Sequence, residues 1–233
     1  MNMTKHQTNL AASSESLPPF PFRLYLVTDR TVCGSDALLS ILSRLAAGLP
    51  TGTLGVQLRE KDMCARDLTD LARRVMDALA PHQVPLLIND RLDVALAVGA
   101  QGIHIPGTGL SPTDARTLCS GLIGISTHTV EQVAAVDPSI VSFCTFGPVF
   151  ETPSKRAYGP PQGTSRLQVA IASARVPVFA IGGISSVTVT GLAGHGAAGI
   201  AVIRAILEAA DPVSVAKKML LLGGFPYDQR GRP

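Results

Sequence analysis

Short apolar runs, separated by polar and glycine-containing segments, recur along most of the chain. Eight of them are rich in Val, Ile and Leu and cover residues 24–27, 54–58, 85–88, 102–105, 122–126, 140–146, 177–181 and 199–203. Their length and β-branched content favour strands over helices. Because most of the runs are continuous rather than alternating, they indicate strands covered on both faces, as in a parallel sheet.

Between the runs, apolar residues recur at the spacing of a helix face. Positions 38, 41, 42 and 45 follow the first run, and positions 68, 71, 75 and 79 follow the second. Eight strand–helix units predict an α/β fold, a (β/α)8 TIM barrel in a single domain. A doubly wound open sheet is the alternative, but its GxGxxG turn is missing after the first run, where Val27-Thr28-Asp29-Arg30 stands instead.

The two ends of the chain differ from its centre. Residues 1–21 are rich in Ser and Pro without periodicity and are predicted to be a flexible tail. Residues 223–233 are predicted to be a flexible C-terminus. The barrel domain is therefore assigned to residues 22–222.

Net charge, hydropathy and cysteine spacing argue against several classes of protein. The 233 residues carry a net charge of only +3, which argues against a dedicated nucleic-acid-binding protein. No run is long enough to cross a membrane, and the N-terminus lacks the apolar segment of a signal peptide, so we expect a cytoplasmic protein. The four dispersed cysteines argue against a zinc ribbon or a redox CxxC motif. The sequence is compatible with a homo-oligomer.

In such barrels, reactive groups follow the strands at their carboxyl ends. Arg59 and Lys61 follow the second run and can meet one polyanion, so they predict a phosphate or pyrophosphate site. The alternative is a surface ion pair with Glu60 or Asp62. Gly182-Gly183 after the seventh run would let a ligand approach the backbone closely.

Two further strand ends offer candidate chemistry. Asn89 and Asp90 carry hard oxygen ligands and, beside a pyrophosphate, suggest Mg²⁺; the alternative is that Asp90 caps the following helix. His128 follows Ser126 and is either an acid or base near neutrality or a structural neighbour of the next helix. His104 lies within the fourth run and is expected to pack inside the barrel.

The segment 147–162 is long for a connection between strand and helix and contains Lys155 and Arg156. Loops of this length often act as lids over ligands. Lys155 is the candidate in it for binding phosphate, and a solvated excursion is the alternative.

These motifs together resemble the thiamine phosphate synthase and TenI superfamily of small TIM barrels. The matching segments are LYLVTDR at 24–30, VQLREKD at 56–62, LLINDRLDVALAVGAQGIHI at 86–105, IGISTHT at 123–129, FGPVFETPSK at 146–155, PVFAIGGIS at 177–185 and GAAGIAVIRAI at 196–206. They appear in order and at family-like spacing over residues 23–215.

The resemblance implies a reaction and a set of roles. The synthase branch joins 4-amino-2-methyl-5-hydroxymethylpyrimidine diphosphate to a thiazole phosphate, which gives thiamine phosphate and pyrophosphate. By resemblance, the pyrimidine diphosphate is held by Gln57, Arg59, Lys61, Asn89 and Lys155, with Ser126 on the pyrimidine and Asp90 on Mg²⁺. Thr152, Gly183, Ile203 and Arg204 would face the thiazole phosphate. The candidate catalytic residues are Arg59, Lys61, Ser126, His128 and Lys155.

One departure from the synthase pattern keeps alternatives open. Synthases carry HLGQED after the fourth strand, whereas this chain reads HIPGTG at 104–109, so Gly109 replaces a second acidic metal ligand. TenI-like thiazole tautomerases have similar loops and use a His at the position that His128 matches. The alternatives to a synthase are therefore such a tautomerase or a noncatalytic protein that binds thiamine precursors.

Overall fold

Eight parallel strands close into a barrel, and each strand pairs with the next one along the chain. The computed structural model describes residues 21–152 and 160–225. Its strands are β1 Leu24–Val27, β2 Leu54–Leu58, β3 Leu86–Asn89, β4 Gly102–Ile105, β5 Leu122–Thr127, β6 Phe143–Phe146, β7 Val178–Ile181 and β8 Gly199–Val202. Because β1 also pairs with β8, where Leu24 lies opposite Ile200, the predicted barrel is confirmed and an open sheet is excluded.

Helices surround the barrel. They are α1 Arg30–Cys33, α2 Ser35–Gly48, α3 Ala65–Leu79, α4 Leu92–Val98, α5 Pro112–Leu118, α6 Val130–Ala134, α7 Gly163–Ser173, α8 Arg204–Leu207 and α9 Pro212–Leu222, with 3₁₀ helices at Ala80–His82 and Thr188–Leu192. The periodic positions predicted for α2 and α3 are all buried, which confirms those two amphipathic faces.

Two local predictions differ from the structure. The connection after β7 holds a 3₁₀ helix rather than an α-helix, because its sequence TVTGL combines β-branched residues with a glycine. The run 140–146 forms a strand only from Phe143 onward. Its first residues belong to a turn, in which the N–H groups of Ile140 and Val141 both donate to the carbonyl oxygen of Asp137.

Apolar layers lie on both faces of the strands. The outer layer joins the strands to the helices and includes Leu26, Val56 and Ile88. The inner layer fills the barrel and consists of Phe22, Tyr25, Val27, Leu87, Phe143, Phe179 and Ala201. Since successive residues of a strand point to opposite faces, one continuous apolar run supplies both layers.

The folded part continues past the predicted boundary at residue 222. Phe225 is 5% exposed and packs in the outer layer, and its N–H donates to the carbonyl oxygen of Leu220. Residues 1–20 and 226–233 lie outside the described part of the chain, so the flexibility predicted for them stays a prediction. Within the described part of the chain, no helix is both long and apolar enough to cross a bilayer.

Candidate active site

The carboxyl ends of the strands bring nearly all the predicted site residues to one rim. Gln57 lies in β2, with Arg59 and Lys61 just beyond it, and Asn89 ends β3. The others on this rim are Asp90, Ser126, His128, Thr152, Gly183, Ile203 and Arg204. Because all eight strands are parallel, residues far apart in sequence share this end of the barrel. Lys155 lies outside the described residues.

A buried carboxylate ties the end of β1 to the end of β2. Thr28 Oγ1 donates to Glu60 Oε1 at 2.5 Å, and the N–H of Arg30 donates to Glu60 Oε2 at 2.9 Å. Thr28 Oγ1 also accepts from the N–H of Arg59 at 2.9 Å. Burial raises the pKa of Glu60, while the hydrogen bonds from Thr28 and Arg30 oppose that rise. The Thr28–Glu60 cluster therefore fixes the backbone from which Arg59 projects.

The ion pairs considered for Arg59 and Lys61 are not formed. Asp62 pairs instead with Arg30, at 2.6 Å between Oδ2 and Nη2, and the Glu60 carboxylate is occupied by Thr28 and Arg30. Among residues 21–152 and 160–225, neither Arg59 nor Lys61 makes an ion pair, and both lie at the barrel mouth. The alternative of a surface ion pair is therefore wrong, and two cations remain available to an anionic ligand.

Asp90 does not cap the following helix. The N-cap position of α4 is Arg91, which makes no side-chain capping bond, so that alternative is also wrong. Asp90 instead adopts a left-handed backbone with φ of 63°, and its N–H donates to the carbonyl oxygen of His104 at 2.9 Å. Left-handed backbone at a residue other than glycine is uncommon and often marks a functional site. The Asp90 side chain is exposed at the rim.

The surroundings of Asp90 bear on the predicted Mg²⁺ site. A Cβ built on Gly109 would lie 2.6 Å from Asp90 Oδ1, so these two positions are neighbours and Gly109 contributes no carboxylate. In the described ranges, no group of three or more His, Cys, Asp or Glu side chains could hold a metal ion. A single carboxylate fits Mg²⁺ where phosphate oxygens and waters complete its shell.

A chain of hydrogen bonds crosses the barrel interior beneath this rim. Gln57 Nε2 donates to the hydroxyl of Tyr25 at 3.2 Å, and that hydroxyl contacts His104 Nδ1 at 3.3 Å. His104 Nε2 lies 3.0 Å from Ser126 Oγ. His104 is 2% exposed, as its place inside a strand predicted. Sequence reasoning missed Tyr25, although its place in the first strand could have indicated an inward polar group.

His128 is exposed, two residues beyond Ser126. Its ring Nδ1 donates to the carbonyl oxygen of Gly147 at 2.6 Å, which leaves Nε2 as a proton acceptor. Thr129 caps α6 in a capping box with Gln132, whose side chain also accepts from the N–H of His128. His128 is thus the predicted neighbour of the helix, and its role as an acid or base stays a prediction.

On the opposite side of the rim, the backbones that follow β6 and β7 pack closely against each other. Gly182 and Gly183 have φ values of +97° and +65°. A Cβ at Gly183 would lie 2.4 Å from the carbonyl oxygen of Glu151, and one at Gly182 would lie 2.5 Å from Pro148. The two glycines were expected to admit a ligand. In the structure, the space beside both glycines is occupied by the protein's own segment after β6.

Arg204 is the first residue of α8. Its guanidinium pairs with Glu208 at 2.9 Å, and both side chains are more than half exposed. Ile203 lies just before the helix and is partly buried against the inner layer. The charge of Arg204 is therefore already partnered, whereas Arg59 and Lys61 have no ion-pair partner within the described part of the chain.

The fold is a (β/α)8 barrel, and at its mouth lie two cations that form no ion pair within the described residues. The family model for thiamine monophosphate synthase matches residues 24–206, and the chain belongs to that family. A protein of Geobacter sulfurreducens is 43% identical over 203 residues, which cover 86% of this chain and 94% of the relative. The thiamine-phosphate synthase of Albidiferax ferrireducens is 40% identical over 199 residues, which cover 84% and 90%.

Solved structures agree on the fold. The thiamine phosphate pyrophosphorylase from Pyrococcus furiosus superposes with a TM-score of 0.75 and 23% sequence identity. The match covers 88% of this chain and 96% of that protein.

Proposed function

We propose that this protein is a thiamine-phosphate synthase. It joins 4-amino-2-methyl-5-hydroxymethylpyrimidine diphosphate to a thiazole phosphate: the bond between the pyrimidine methylene carbon and the diphosphate oxygen breaks, and a bond from that carbon to the thiazole nitrogen forms. Pyrophosphate leaves. Membership of the thiamine monophosphate synthase family supports this reaction, as do relatives of that name at 34–40% identity.

The observation that carries the proposal is the pair of cations at the end of β2. Departure of the diphosphate leaves a pyrimidine cation and builds negative charge on the leaving group, so the main catalytic need is to stabilise that charge. Arg59 and Lys61 can stabilise this charge, because the neighbouring carboxylates have other partners. Glu60 bonds to Thr28 and Arg30, and Asp62 bonds to Arg30. Asn89 and Lys155 complete the diphosphate site, and Ser126 and Gln57 hold the pyrimidine. No side-chain nucleophile is required.

Asp90 is assigned as the protein ligand of Mg²⁺, with diphosphate oxygens and waters as the other ligands. A bound divalent cation would neutralise charge on the leaving group. The exposed carboxylate of Asp90, next to the loop at Gly109, supports this assignment. Glu60 does not replace the missing second carboxylate, because it is 5% exposed and already hydrogen-bonded to Thr28 and Arg30.

The thiazole phosphate is assigned to the ends of β6, β7 and β8. Thr152, Gly183, Ile203 and Arg204 lie on this side of the rim. We give Arg204 the smaller part, since Glu208 already partners its charge. Holding the thiazole nitrogen against the pyrimidine methylene carbon then completes the bond by proximity. All four cysteines are free thiols, which suits the reducing cytoplasm where we place the reaction.

The test is formation of thiamine phosphate and pyrophosphate by the purified protein with Mg²⁺ and both phosphorylated precursors. We expect Lys61→Ala and Asp90→Asn each to lower kcat about 100-fold, the effect of removing one electrostatic group at a developing charge. Asn tolerates the left-handed backbone of Asp90, so that variant removes only the charge. Arg73→Ala, which removes an exposed arginine paired with Asp70 on α3, is the matched control and should keep full activity.

Folded protein that forms neither product at high enzyme concentration would overturn the synthase proposal. Precursor binding by calorimetry without conversion would then indicate a noncatalytic binding protein.

A thiazole tautomerase is the second candidate, favoured by His128. Its Nε2 is an available base at the mouth because Nδ1 is bonded to Gly147. With a carboxythiazole phosphate isomer as the only substrate, a tautomerase would migrate the double bond and lose that activity in His128→Ala. A synthase is expected to depend far more on Lys61 than on His128.

A further inference from the structure

We propose that Tyr25 and His104 are positioning residues that make Ser126 a hydrogen-bond donor and leave Gln57 as an acceptor, so that the barrel mouth selects a 4-aminopyrimidine over its 4-oxo analogue. The inference rests on the proposed function and extends it to substrate discrimination. It concerns the chain of hydrogen bonds from Gln57 to Ser126, which we call the interior chain.

The donors and acceptors of the interior chain can be arranged in one order. Gln57 Nε2 can only donate, so the hydroxyl of Tyr25 accepts from it at 3.2 Å. The single proton of that hydroxyl then points to His104 Nδ1, 3.3 Å away. Because Nδ1 accepts, the ring proton of neutral His104 lies on Nε2.

The last bond sets the polarity of Ser126. His104 Nε2 donates to Ser126 Oγ at 3.0 Å. The hydroxyl proton of Ser126 is therefore left to donate to another group. Ser126 lies near the carboxyl end of β5, at the rim where the pyrimidine is proposed to bind. Gln57 donates one N–H of its amide to Tyr25, and within the described residues its amide oxygen receives no hydrogen bond and can accept one from a ligand.

The protonation states hold this order near neutral pH. His104 is 2% exposed and its Nδ1 accepts from Tyr25, so the imidazole is held with its single proton on Nε2. Burial raises the pKa of Tyr25 above its usual range, so the phenol keeps its proton. A neutral imidazole carries only one N–H, and Tyr25 decides which nitrogen holds it.

Aromatic packing holds both rings in place. The ring of Tyr25 stacks on Phe22 with centroids 5.2 Å apart and meets Phe143 edge-on at 5.2 Å. His104 packs against Phe143 at 5.9 Å. A Cβ on Gly124 would lie 2.8 Å from His104 Nδ1, so the glycine provides the room that the imidazole occupies. These contacts hold the two rings of the interior chain in one arrangement.

This polarity matches one edge of a 4-aminopyrimidine. That edge offers an amine donor beside a ring nitrogen acceptor, whereas a 4-oxopyrimidine offers a carbonyl acceptor beside a ring N–H donor. Ser126 as donor and Gln57 as acceptor complement the first pattern and oppose the second. A site built on such groups rejects the mismatched analogue strongly, because its buried polar atoms are left without partners.

The test compares the 4-amino and 4-oxo pyrimidine diphosphates as substrates of the full-length protein. We expect the wild type to prefer the amino substrate in kcat/KM by about 100-fold or more. Tyr25→Phe removes one oxygen and keeps the ring, so His104 can take either tautomer and Ser126 can donate or accept. The preference should fall about tenfold, while the KM for the thiazole phosphate stays unchanged.

Two further variants separate positioning from packing. His104→Gln keeps an N–H donor toward Ser126 and should retain most of the preference, whereas His104→Leu should lose it. Phe179→Leu alters the same aromatic layer but has no hydrogen-bonding side-chain atom, so it should leave the preference at the wild-type value. Should His104→Leu not fold, Tyr25→Phe carries the comparison.

The possible results are distinguishable. A wild type that forms no thiamine phosphate overturns the proposed function, and calorimetric binding of the two pyrimidine diphosphates then measures the same preference without turnover. An unchanged preference in Tyr25→Phe, by either measurement, overturns the inference. So does an equal loss for both substrates, which indicates a purely structural role.

Discussion

The two sides of the barrel mouth are built in different ways. In the β1–β5 half, named for the strands that supply it, side-chain hydrogen bonds position the site residues. Thr28 and Glu60 fix the backbone of Arg59, and Tyr25 and His104 link Gln57 to Ser126. In the β6–β8 half, the backbone of one strand exit packs directly on the next. There the segment after β6 packs against Gly182 and Gly183, which have no Cβ to block it.

The difference follows from what each half is proposed to bind. A diphosphate and an aminopyrimidine offer charge and a directional pattern of donors and acceptors, which buried and connected side chains can match. A phosphate monoester can be held largely by backbone N–H groups, which need close approach of the chain rather than particular side chains. Substitutions should therefore affect the two halves through different mechanisms.

The largest effect on stability is expected in the β6–β8 half. Gly183→Ala places a Cβ 2.4 Å from the carbonyl oxygen of Glu151 at a φ of +65°, so the segment after β6 must move. We expect a loss of roughly 3 to 4 kcal/mol in the free energy of unfolding, from steric overlap plus left-handed strain. Urea unfolding measures it.

Gly107→Ala is the matched control for that change, since a Cβ there has no heavy atom within 4 Å. A loss below 1 kcal/mol for Gly183→Ala, or an equal loss for both variants, would mean that the packing of the two strand exits does not define this half.

The next effect concerns acid stability in the β1–β5 half. The pKa of His104 is lowered to about 3 in the folded protein, against an unfolded value of about 6.5, so the folded state binds fewer protons between these values. Its stabilising contribution is complete above pH 6.5 and is lost as the pH falls toward 3. From pH 7 to pH 4.5, we expect a loss of about 2 to 3 kcal/mol from this group.

Urea unfolding at both pH values gives that loss, and the difference between variants isolates it. His104→Gln has no titrating group at this position and should lose correspondingly less stability on acidification. Leu118→Gln, at an exposed residue of α5, keeps His104 and should follow the wild type. Parallel curves for all three proteins would contradict a buried neutral His104.

The smallest effect is expected at the Thr28–Glu60 cluster. Thr28→Val removes the donor to Glu60 Oε1 and the acceptor for the N–H of Arg59 while keeping the side-chain shape. We expect a loss of roughly 1 to 2 kcal/mol in the free energy of unfolding, the cost of unmade buried hydrogen bonds. The KM for the pyrimidine diphosphate should rise, because Arg59 is held less firmly.

Thr53→Val, at a buried threonine just before β2, is the control and should leave that KM unchanged. If Thr28→Val loses stability but keeps the wild-type KM, the cluster supports the fold without positioning Arg59.

Much of this architecture could be predicted from the chain. The eight apolar runs located all eight strands: the start of β6 was misplaced by three residues, and the other bounds agree to within one residue. The helical periodicity located α2 and α3 because each buries one face against the barrel. The order of the strands then brought Gln57, Asn89, Asp90 and Ser126 to one rim. These features depend on local patterns, which a single sequence records.

The partners of the polar residues could not be predicted in the same way. Glu60 follows Arg59 directly in sequence, yet its carboxylate bonds to Thr28 and Arg30 on the neighbouring strand exit. Asp90 precedes a helix but does not cap it. Asp90 has a left-handed backbone, and its N–H donates to the carbonyl oxygen of His104 on the next strand.

The sequence by itself determined the barrel, the family and the rim on which the site lies, because hydrophobic spacing and motif order are properties of the chain. Only the tertiary structure decided which cations keep their charge available, which glycines admit the protein's own backbone, and how Tyr25 and His104 orient Ser126. The reason is physical: hydrogen bonds and ion pairs form between the atoms that the closed barrel brings within about 3 Å, whatever their distance along the chain.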